Sequence, residues 1–393
     1  MALGNKASAT ADFVSSVWSF PDQDPTRAAP YRWYGTLPTG LLDQLFDLYA
    51  SAGSSFLDPF CGTGTSLLTA AGRGVHSLGM DVNPLAVLIS QLQLSPPHAA
   101  ELTGAWDTVA RLAAEGASSR RSVTTLARHL RAGELQYTRR WIGERALARL
   151  WLVLQAIATA DIGTAARRGL LVAFASIVRD VANVDPRCTH HLVTKLKPYV
   201  DCASLLDSRV PLLAGQVGMK GAHFTGTETE VVQGDFSSDP PASEYDFVLL
   251  HPPYLGVIHY NQIHRLATDL IDLVNRTTPV DVLGQLSWDH STIKSGDMST
   301  DNSARYEDFV ARVADSTVKV TVVGGRAVVI IGDQRNKSLL RHPFTSYIHA
   351  FEARGLALEE NFIWVLQNNG GMHVLRRGHY IDHNYVLVFK RLP

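Results

Sequence analysis

Two acidic residues and two glycines near the start of the chain have types and spacing suited to binding a nucleotide. A short apolar run ends at Asp58, and Gly62 and Gly64 follow in a turn that leads into a helical pattern. Glycine lets such a turn bend tightly and lets a ligand approach main-chain N–H groups. A second apolar run ends at Asp81, 17 residues after Gly64. This is near the spacing of about 20 residues at which a βαβ nucleotide site sets a carboxylate against ribose hydroxyls.

A second group of residues suited to chemistry follows another apolar run, at His251, Pro252, Pro253 and Tyr254. The two prolines hold the turn rigid and fix the direction of its carbonyl groups. A neutral histidine in the correct tautomer can accept a hydrogen bond, and a tyrosine offers a flat stacking surface. A purely structural rigid loop is the alternative. The position after a strand and downstream of the glycine turn favours catalysis.

Three segments together resemble a known family, the S-adenosylmethionine-dependent amino methyltransferases that act on nucleic-acid bases. Asp58–Thr65 is similar to motif I of that family and Gly79–Ala86 to its second motif. His251–Tyr254 is similar to the catalytic motif, which is usually Asp, Asn or Ser followed by Pro-Pro-Tyr. His251 departs from that pattern. The resemblance covers both halves of a catalytic domain and leaves residues 96–225 unexplained.

The resemblance implies S-adenosylmethionine as the cofactor, bound where the strands end. Asp58 would meet its ammonium group, Asp81 its ribose hydroxyls and Asp235 its adenine amino group, with the glycine turn beneath the methionine part. Trp33 and Tyr34 could correspond to a family element that precedes motif I, although packing in the core accounts for them equally well. The residues expected to bind the cofactor are Asp58, Pro59, Phe60, Gly62, Gly64, Thr65, Asp81, Asn83, Pro84, Asp235, Trp33 and Tyr34.

The resemblance also implies a role for each residue of the second group. An exocyclic base amine is a poor nucleophile, because its lone pair is delocalised into the ring. In the family, the first side chain of the motif and the carbonyl of the next proline accept hydrogen bonds from that amine. The tyrosine stacks on a base swung out of its helix. His251, Pro252, Pro253 and Tyr254 are therefore the expected catalytic residues.

Composition narrows the class of protein. The 393 residues are 46% hydrophobic, which suffices for one large domain or two. Three cysteines are too few for a disulfide framework, so a cytoplasmic location is expected. Cys188 lies close to His190 and His191, but without a Cys-x-x-Cys pair we expect no metal site. No signal peptide or membrane span is expected either, because the apolar runs are short.

The charge distribution points to a polyanionic partner, although the net charge is only −1. Residues 120–197 hold 14 Lys or Arg and 5 Asp or Glu. Such an excess suggests one face for nucleic acid, with solvated helix faces as the alternative. Arg187, Lys195 and Lys197 lie between two helical patterns, in an expected loop, and are our candidate nucleic-acid contacts.

Strand and helix patterns alternate through most of the chain and predict an α/β fold with helices on both faces of an open sheet. The resemblance refines this to a Rossmann-like class I methyltransferase sheet with an antiparallel last strand. Residues 1–95 would form an N-terminal arm and the first half of the catalytic domain. Residues 96–225 would be a helical insertion for nucleic-acid recognition. Residues 226–393 would form the second half, with a mobile loop at 286–305 and a helix from Tyr306.

The expected activity is therefore methyl transfer to an exocyclic amine of a DNA base, with N4 of cytosine slightly favoured over N6 of adenine. An RNA or tRNA base methyltransferase shares the same core and is the alternative enzyme. A nucleic-acid-binding homologue that has lost activity through His251 is the alternative from another class. A partner from a restriction or defence system would suit a DNA methyltransferase.

Overall fold

The structure, a computed structural model, describes most of the chain. The described residues are 14–20, 31, 33, 35–117, 120–185, 192–218, 227–254, 260–278, 280, 283–284, 286–288, 303–336, 339–366 and 383–393.

Ten strands are described. They are β1 Ser16–Phe20, β2 Ser55–Asp58, β3 His76–Asp81, β4 Thr229–Gln233, β5 Tyr245–Leu250, β6 Thr321–Gly332, β7 Gln334–Asn336, β8 Leu339–Arg341, β9 Leu356–Leu366 and β10 His383–Arg391.

Eleven α-helices are described. They are α1 Thr39–Tyr49, α2 Thr65–Gly72, α3 Pro84–Leu94, α4 Ala99–Ala117, α5 Arg120–Arg131, α6 Glu144–Thr159, α7 Thr164–Val181, α8 Cys202–Gly218, α9 Tyr260–Thr277, α10 Ser303–Val320 and α11 Pro343–Glu352.

Eight of the strands form one sheet in the order β1-β9-β10-β6-β5-β2-β3-β4, and β7 and β8 form a separate hairpin. Every neighbouring pair in the sheet is parallel except those of β10, which runs antiparallel to both β9 and β6. From β4 to β9 this is the class I methyltransferase arrangement, in which the antiparallel strand lies inside the sheet. The predicted fold class is confirmed.

Alternating side chains along the central strands build a separate core on each face of the sheet. In β6, Ala327, Val329 and Ile331 face α10 and α11, whereas Val328 and Ile330 face the side covered by α1 and α2. This period of two is what a strand with both faces covered requires. The central strands are therefore buried on both faces of the sheet.

The helices between β3 and β4 form a third core. Buried residues of α4, α6, α7 and α8 share it with α3 and α9, which flank the strands. Apolar residues recur along these helices at three- and four-residue spacing, as in the buried positions of α7. The helical block thus packs directly on the two helices that follow β3 and precede α10. Its role as a recognition insertion stays a prediction.

Three local expectations are corrected. The arm that precedes the first helix contributes an extra strand, β1, whose Trp18 stacks on Phe362 at 4.0 Å between ring centroids. The apolar pattern of residues 361–366 predicts a strand that begins at Asn361, whereas β9 begins at Leu356. Glu359 and Glu360, which interrupt the apolar pattern, are part of the strand and bind Arg326 and Tyr49. Helix α10 begins at Ser303, so residues 303–305 are helical rather than part of a loop.

Candidate active site

The turn after β2 is held open by two glycines in left-handed conformations. Gly62 has φ +52° and Gly64 has φ +79°, and Gly64 is the N-cap of α2. A Cβ on Gly64 would lie 2.9 Å from the Ser90 Oγ, and one on Gly62 would lie 3.1 Å from the Trp33 Nε1. Glycine is needed here both for backbone conformation and for space.

Asp58 ends β2 and is almost completely buried. Its carboxylate accepts hydrogen bonds from the Ser66 hydroxyl and, at 3.0 Å, from the Phe60 N–H. Burial raises the pKa of Asp58 to about 7, against the lowering effect of these two bonds, and the nearby charge of Asp81 adds to the rise. A cationic ligand group beside Asp58 would favour its ionised form.

Asp81 ends β3 and joins the two nucleotide motifs. Its Oδ2 accepts from the Gly62 N–H at 3.0 Å and its Oδ1 from the Asn83 N–H at 2.8 Å. Burial raises the pKa of Asp81 to about 6, although both bonds oppose that shift. The carboxylate therefore fixes the glycine turn against the end of the neighbouring strand.

Helix α3 supports the turn from below through polar side chains on its buried face. The Ser90 hydroxyl donates to the Gly62 carbonyl at 2.8 Å, and the Gln93 amide donates to the Thr63 carbonyl. Sequence reasoning missed both. The available signal was the pair of polar residues three positions apart, Ser90 and Gln93, on the buried face of this helix.

Asn83 caps the start of α3, with its Oδ1 accepting from the Leu85 N–H at 3.0 Å. Its Nδ2 is buried, and within the described part of the chain it has no hydrogen-bond partner. Buried donors are usually paired. An unpaired amide donor two residues from Asp81 suits a ligand with a ring-nitrogen acceptor.

Asp235 lies two residues beyond the end of β4. Its Oδ1 accepts from the backbone and the hydroxyl of Ser237, at 3.0 and 2.7 Å, so it closes a local turn.

Gln233, which sequence reasoning missed, links three segments. Its amide donates to the carbonyls of Val82 and Ser287, at 3.0 and 2.8 Å, and accepts from the Ser287 N–H. Ser287, inside the expected mobile loop, is thereby attached to the sheet edge.

Trp33 connects the glycine turn with α9. Its indole lies against Gly62 and stacks on His264 with 4.2 Å between ring centroids, while Tyr260 stacks more loosely at 6.0 Å. His264 is buried and its Nδ1 lies 3.2 Å from the Tyr31 hydroxyl. Burial lowers the pKa of His264 to about 3, so the imidazole is neutral. Trp33 thus lies against the glycine turn and is also part of an aromatic cluster, and its role in cofactor binding stays a prediction.

The second group of candidate residues lies where β5 ends, next to β2 in the sheet. The His251 Nε2 lies 3.2 Å from the Tyr254 hydroxyl, and that hydroxyl donates to the Asn384 Oδ1 at 3.2 Å. A Cβ on Gly35, which has φ +84°, would lie 2.9 Å from the Tyr260 hydroxyl and 3.8 Å from the His251 Cε1. The segment that holds Trp33 and Gly35 therefore lies next to both groups of candidate residues.

The remaining predicted residues fall into two classes. Pro59 lies in the turn after β2, whereas Thr65 and Pro84 are the first residues of α2 and α3, and the Phe60 ring packs near Phe236 and Phe309. Tyr34 and Arg187 lie outside the described residues, as do Cys188, His190 and His191.

In the basic segment before α8, residues 187–197, at least one charged side chain binds the protein itself. The Lys197 ammonium donates to the carbonyls of Arg179 and Asp180, at 3.0 and 2.9 Å, where α7 ends. Burial lowers its pKa. Arg167 binds the carbonyls of Ala158 and Ala160 at the end of α6 in the same way. Helix C-termini favour cations, so these charges stabilise the block. Lys195, by contrast, is exposed.

No group of side chains in the described ranges has the composition of a metal site. None of the described helices combines the length and apolarity that crossing a bilayer requires.

No protein-family model matches the chain, and no curated protein matches it in sequence. Among solved structures, a TehB-like SAM-dependent methyltransferase from Corynebacterium glutamicum is 13% identical, with 92% of this chain and 89% of that chain covered and a TM-score of 0.33. TrmN from Thermus thermophilus is 12% identical, with a TM-score of 0.35; the match covers 94% of this chain but about half, 52%, of TrmN.

A candidate DNA modification methylase, also from Thermus thermophilus, is 18% identical, with 40% of this chain and 50% of that chain covered and a TM-score of 0.23. Identities and TM-scores this low carry no weight for activity. The fold assignment rests on the strand order of the chain itself, which is that of the class I methyltransferases.

Proposed function

We propose that this protein transfers a methyl group from S-adenosylmethionine to an exocyclic amine of a DNA base, with cytosine N4 favoured over adenine N6. The observation that carries the proposal is a juxtaposition at one edge of a class I methyltransferase sheet. The glycine turn after β2 and the His251–Tyr254 turn after β5 follow strands that pair with each other. Ligands of such sheets bind outside the carboxyl ends of the strands.

The residues around the glycine turn fit the cofactor. Asp58 would hold the ammonium group, Asp81 the ribose hydroxyls, and Asn83, with its unpaired buried Nδ2, the adenine. A Cβ on Gly64 would clash with the Ser90 side chain and one on Gly62 would crowd the Trp33 indole, so the turn favours glycine at both positions. When bound, S-adenosylmethionine supplies an electrophilic methyl group on a sulfonium sulfur, which departs as a neutral thioether.

The His251 turn would prepare the nucleophile. A hydrogen bond from the target amine to the imidazole, and a second to the Pro252 carbonyl, would draw the amine toward a tetrahedral geometry with its lone pair exposed. Positive charge develops on the amine as the methyl group arrives, so the acceptors bind the transition state more strongly than the ground state. After transfer, His251 can take the proton.

The substrate class rests on the Pro-Pro-Tyr turn and the basic helical block. Tyr254 offers a stacking face for a base taken out of its helix. Exposed Lys195 and, in the undescribed part of the same segment, Arg187 are the proposed phosphate contacts. Lys197 is a weaker candidate, because its ammonium is bound to the end of α7.

The proposal is tested by incubating the protein with labelled S-adenosylmethionine and separate DNA and RNA pools, followed by nucleoside analysis. We expect label in DNA as N4-methylcytosine, with N6-methyladenine as the second outcome. Label confined to RNA would favour the RNA enzyme instead.

The matched control is Asp81→Ala, which should weaken cofactor binding but not nucleic-acid binding. No label in either pool with the wild type, together with label once His251→Asp is introduced, would contradict the enzyme and favour the non-catalytic binder.

A further inference from the structure

The Tyr254 hydroxyl lies between two side chains that come from distant parts of the sequence. One is the His251 Nε2 and the other is the Asn384 Oδ1, each at 3.2 Å. Strand β10 runs antiparallel, so Asn384, near its start, pairs with Gly332 at the end of β6. The antiparallel strand thereby brings its second residue to the edge where β5 ends.

Hydrogen-bond roles along this chain of three groups are coupled. A tyrosine hydroxyl has one proton to donate, and a neutral imidazole has one N–H and one bare nitrogen. Because Tyr254 donates to the Asn384 Oδ1, its oxygen can only accept from His251. The proton of the neutral imidazole must then be on Nε2. The other ring nitrogen, Nδ1, carries the lone pair.

Burial makes this coupling strict. Asn384 is 2% exposed, and Tyr254 packs against the core beneath α10. Burial also raises the pKa of Tyr254 far above its ordinary value, so the phenol keeps its proton. A buried donor left without an acceptor is costly, so a Tyr254 hydroxyl that lost Asn384 would turn to the other acceptor it touches, the His251 Nε2.

We propose that Asn384 is a positioning residue that acts through Tyr254 to keep His251 in the Nε2–H tautomer, so that Nδ1 is the hydrogen-bond acceptor for the target amine. The inference rests on the proposed methyl transfer and adds a reason why histidine works at a position where the family has Asp, Asn or Ser. Those three side chains accept through oxygen without any choice of tautomer. A histidine needs the tautomer to be set.

The proton balance of the step is complete. The amine nitrogen forms the new N–CH₃ bond, and the C–S bond breaks with its electron pair going to sulfur. The methylated amine gives one proton to the His251 Nδ1. The imidazolium that results returns the proton to water and recovers its Nε2–H form.

The first test measures the tautomer directly and needs no activity. The protein is prepared with ¹⁵N-labelled histidine, and the ring nitrogens of His251 are identified by comparison with His251→Gln. A protonated and a bare ring nitrogen have well separated ¹⁵N shifts. We expect Nε2–H in the wild type and Nδ1–H in Asn384→Leu. An Nδ1–H form in the wild type, or the same tautomer in both proteins, would overturn the proposal.

Asn361→Leu is the matched control, because it removes another buried amide, on the neighbouring strand β9, where its backbone binds Ser15. We expect it to leave the tautomer of His251 unchanged. Asn384→Asp, whose carboxylate can only accept, should restore the Nε2–H form. A tautomer that changes equally in Asn361→Leu and Asn384→Leu would show a general packing effect and count against Asn384.

The second test is single-turnover methyl transfer. Asn384→Leu should lower the rate about 10–100-fold, with nearly unchanged affinity for cofactor and nucleic acid, since general acid–base catalysis contributes typically 10²–10⁴-fold in full. Asn384→Asp should recover most of the rate. A wild type with the expected tautomer but no transfer would refute the proposed function and leave the tautomer assignment standing. Full activity of Asn384→Leu would refute Asn384 as a positioning residue.

Discussion

The two halves of the candidate site are built differently. Around the glycine turn, the polar contacts of the two acids and of α3 span at most 30 residues: Asp58 binds Phe60 and Ser66, and Asp81 binds Asn83 and Gly62. Around the His251 turn, the key contact joins Tyr254 to Asn384, 130 residues later. The first half is held together within the continuous segment from β2 to α3, whereas the second depends on the completed sheet.

Because the two halves are built differently, substitutions in each half should impair different steps of the reaction. A local network forms as soon as its strand, turn and helix form, and its residues recur as a short motif. A long-range contact exists only when distant strands are aligned in register. A change in the second half should therefore reduce chemistry with little effect on cofactor binding, and a change in the first half should do the reverse.

The largest expected effect is on the chemical step. His251→Ala should lower the single-turnover rate about 10²–10⁴-fold, the range for a lost general acid–base group. Cofactor affinity, measured by calorimetry, should stay the same. Because a histidine ordinarily changes charge between about pH 5 and 8, the wild-type rate should rise with pH in that interval. A pH-independent rate and an equally active His251→Ala would leave His251 with a structural role only.

In the same turn, Tyr254→Ala is a useful comparison. It should impair both base capture and rate, because it removes the stacking face and the hydroxyl that contacts His251. His251→Ala, in contrast, should spare nucleic-acid affinity. Equal loss of affinity in both variants would contradict separate roles for the two side chains.

The next largest effect is on cofactor binding. Asp81→Ala should weaken binding of S-adenosylmethionine by about 1.5–3 kcal/mol, the range for hydrogen bonds to a charged group. It also removes the bond to the Gly62 N–H, so the turn itself should loosen. Unchanged affinity in a folded variant would exclude Asp81 from the site.

A smaller effect follows from the raised pKa of Asp58, which is about 7 in the cofactor-free protein. If its carboxylate binds the ammonium group, affinity should fall up to about tenfold per pH unit below pH 7, and binding there should release a proton. Calorimetry in buffers of different ionisation enthalpy measures that proton. The Asp58→Asn variant should bind S-adenosylmethionine more weakly and should not release this proton. Its cofactor affinity should keep only the weaker pH dependence that comes from Asp81.

The same shift has a consequence for stability, with a fixed sign. A carboxyl group with a raised pKa in the folded state contributes stability below its ordinary pKa of about 3.9, and that contribution is lost as pH rises through about 7. The free energy of unfolding of the cofactor-free protein should therefore fall over this interval. Asp58→Asn should make the fall shallower. An identical pH dependence in both proteins would contradict the raised pKa.

The smallest expected effect distinguishes two lysines in the basic segment. Lys195→Ala should weaken nucleic-acid binding a few-fold and reduce the salt slope of log K by about 1. Lys197→Ala should instead lower stability, because its ammonium caps α7. An equal change of the salt slope in Lys197→Ala and Lys195→Ala would contradict the assignment of the Lys197 ammonium to the end of α7.

The contrast between the two halves also explains how far the sequence could be interpreted. The α/β fold class follows from the alternating apolar runs, and its refinement to a class I methyltransferase sheet follows from the resemblance of motifs whose bonds are short-range, such as Asp81 to Asn83. Asn384 could not be identified this way, because a single asparagine in a strand carries no signal of a partner 130 residues away. The tautomer of His251 depends on that partner and was equally inaccessible.

Two other residues illustrate the same limit. The Trp33 ring was compatible with cofactor binding or core packing, and in the structure it touches Gly62 and also stacks on His264. Lys197 was grouped with its neighbours as a phosphate contact, because sequence gives the charge but not the helix end that it caps. A count of basic residues therefore overestimates the positive charge that the basic segment has available for a polyanion, because it includes the Lys197 ammonium.

The position of β1 has a consequence for synthesis of the protein. Ser16 pairs with Phe362, so β1 has its partner only after a further 346 residues have been made. At about 5–20 residues per second, this strand waits roughly 20–70 s on the ribosome with Trp18 and Phe20 unpaired. During that time the growing chain exposes an apolar edge that chaperones or other nascent chains can bind. Because hydrophobic association weakens on cooling, expression at low temperature should improve the yield of folded protein. A bulky fusion placed immediately before β1 should reduce the yield, because it would hinder the pairing of β1 with β9.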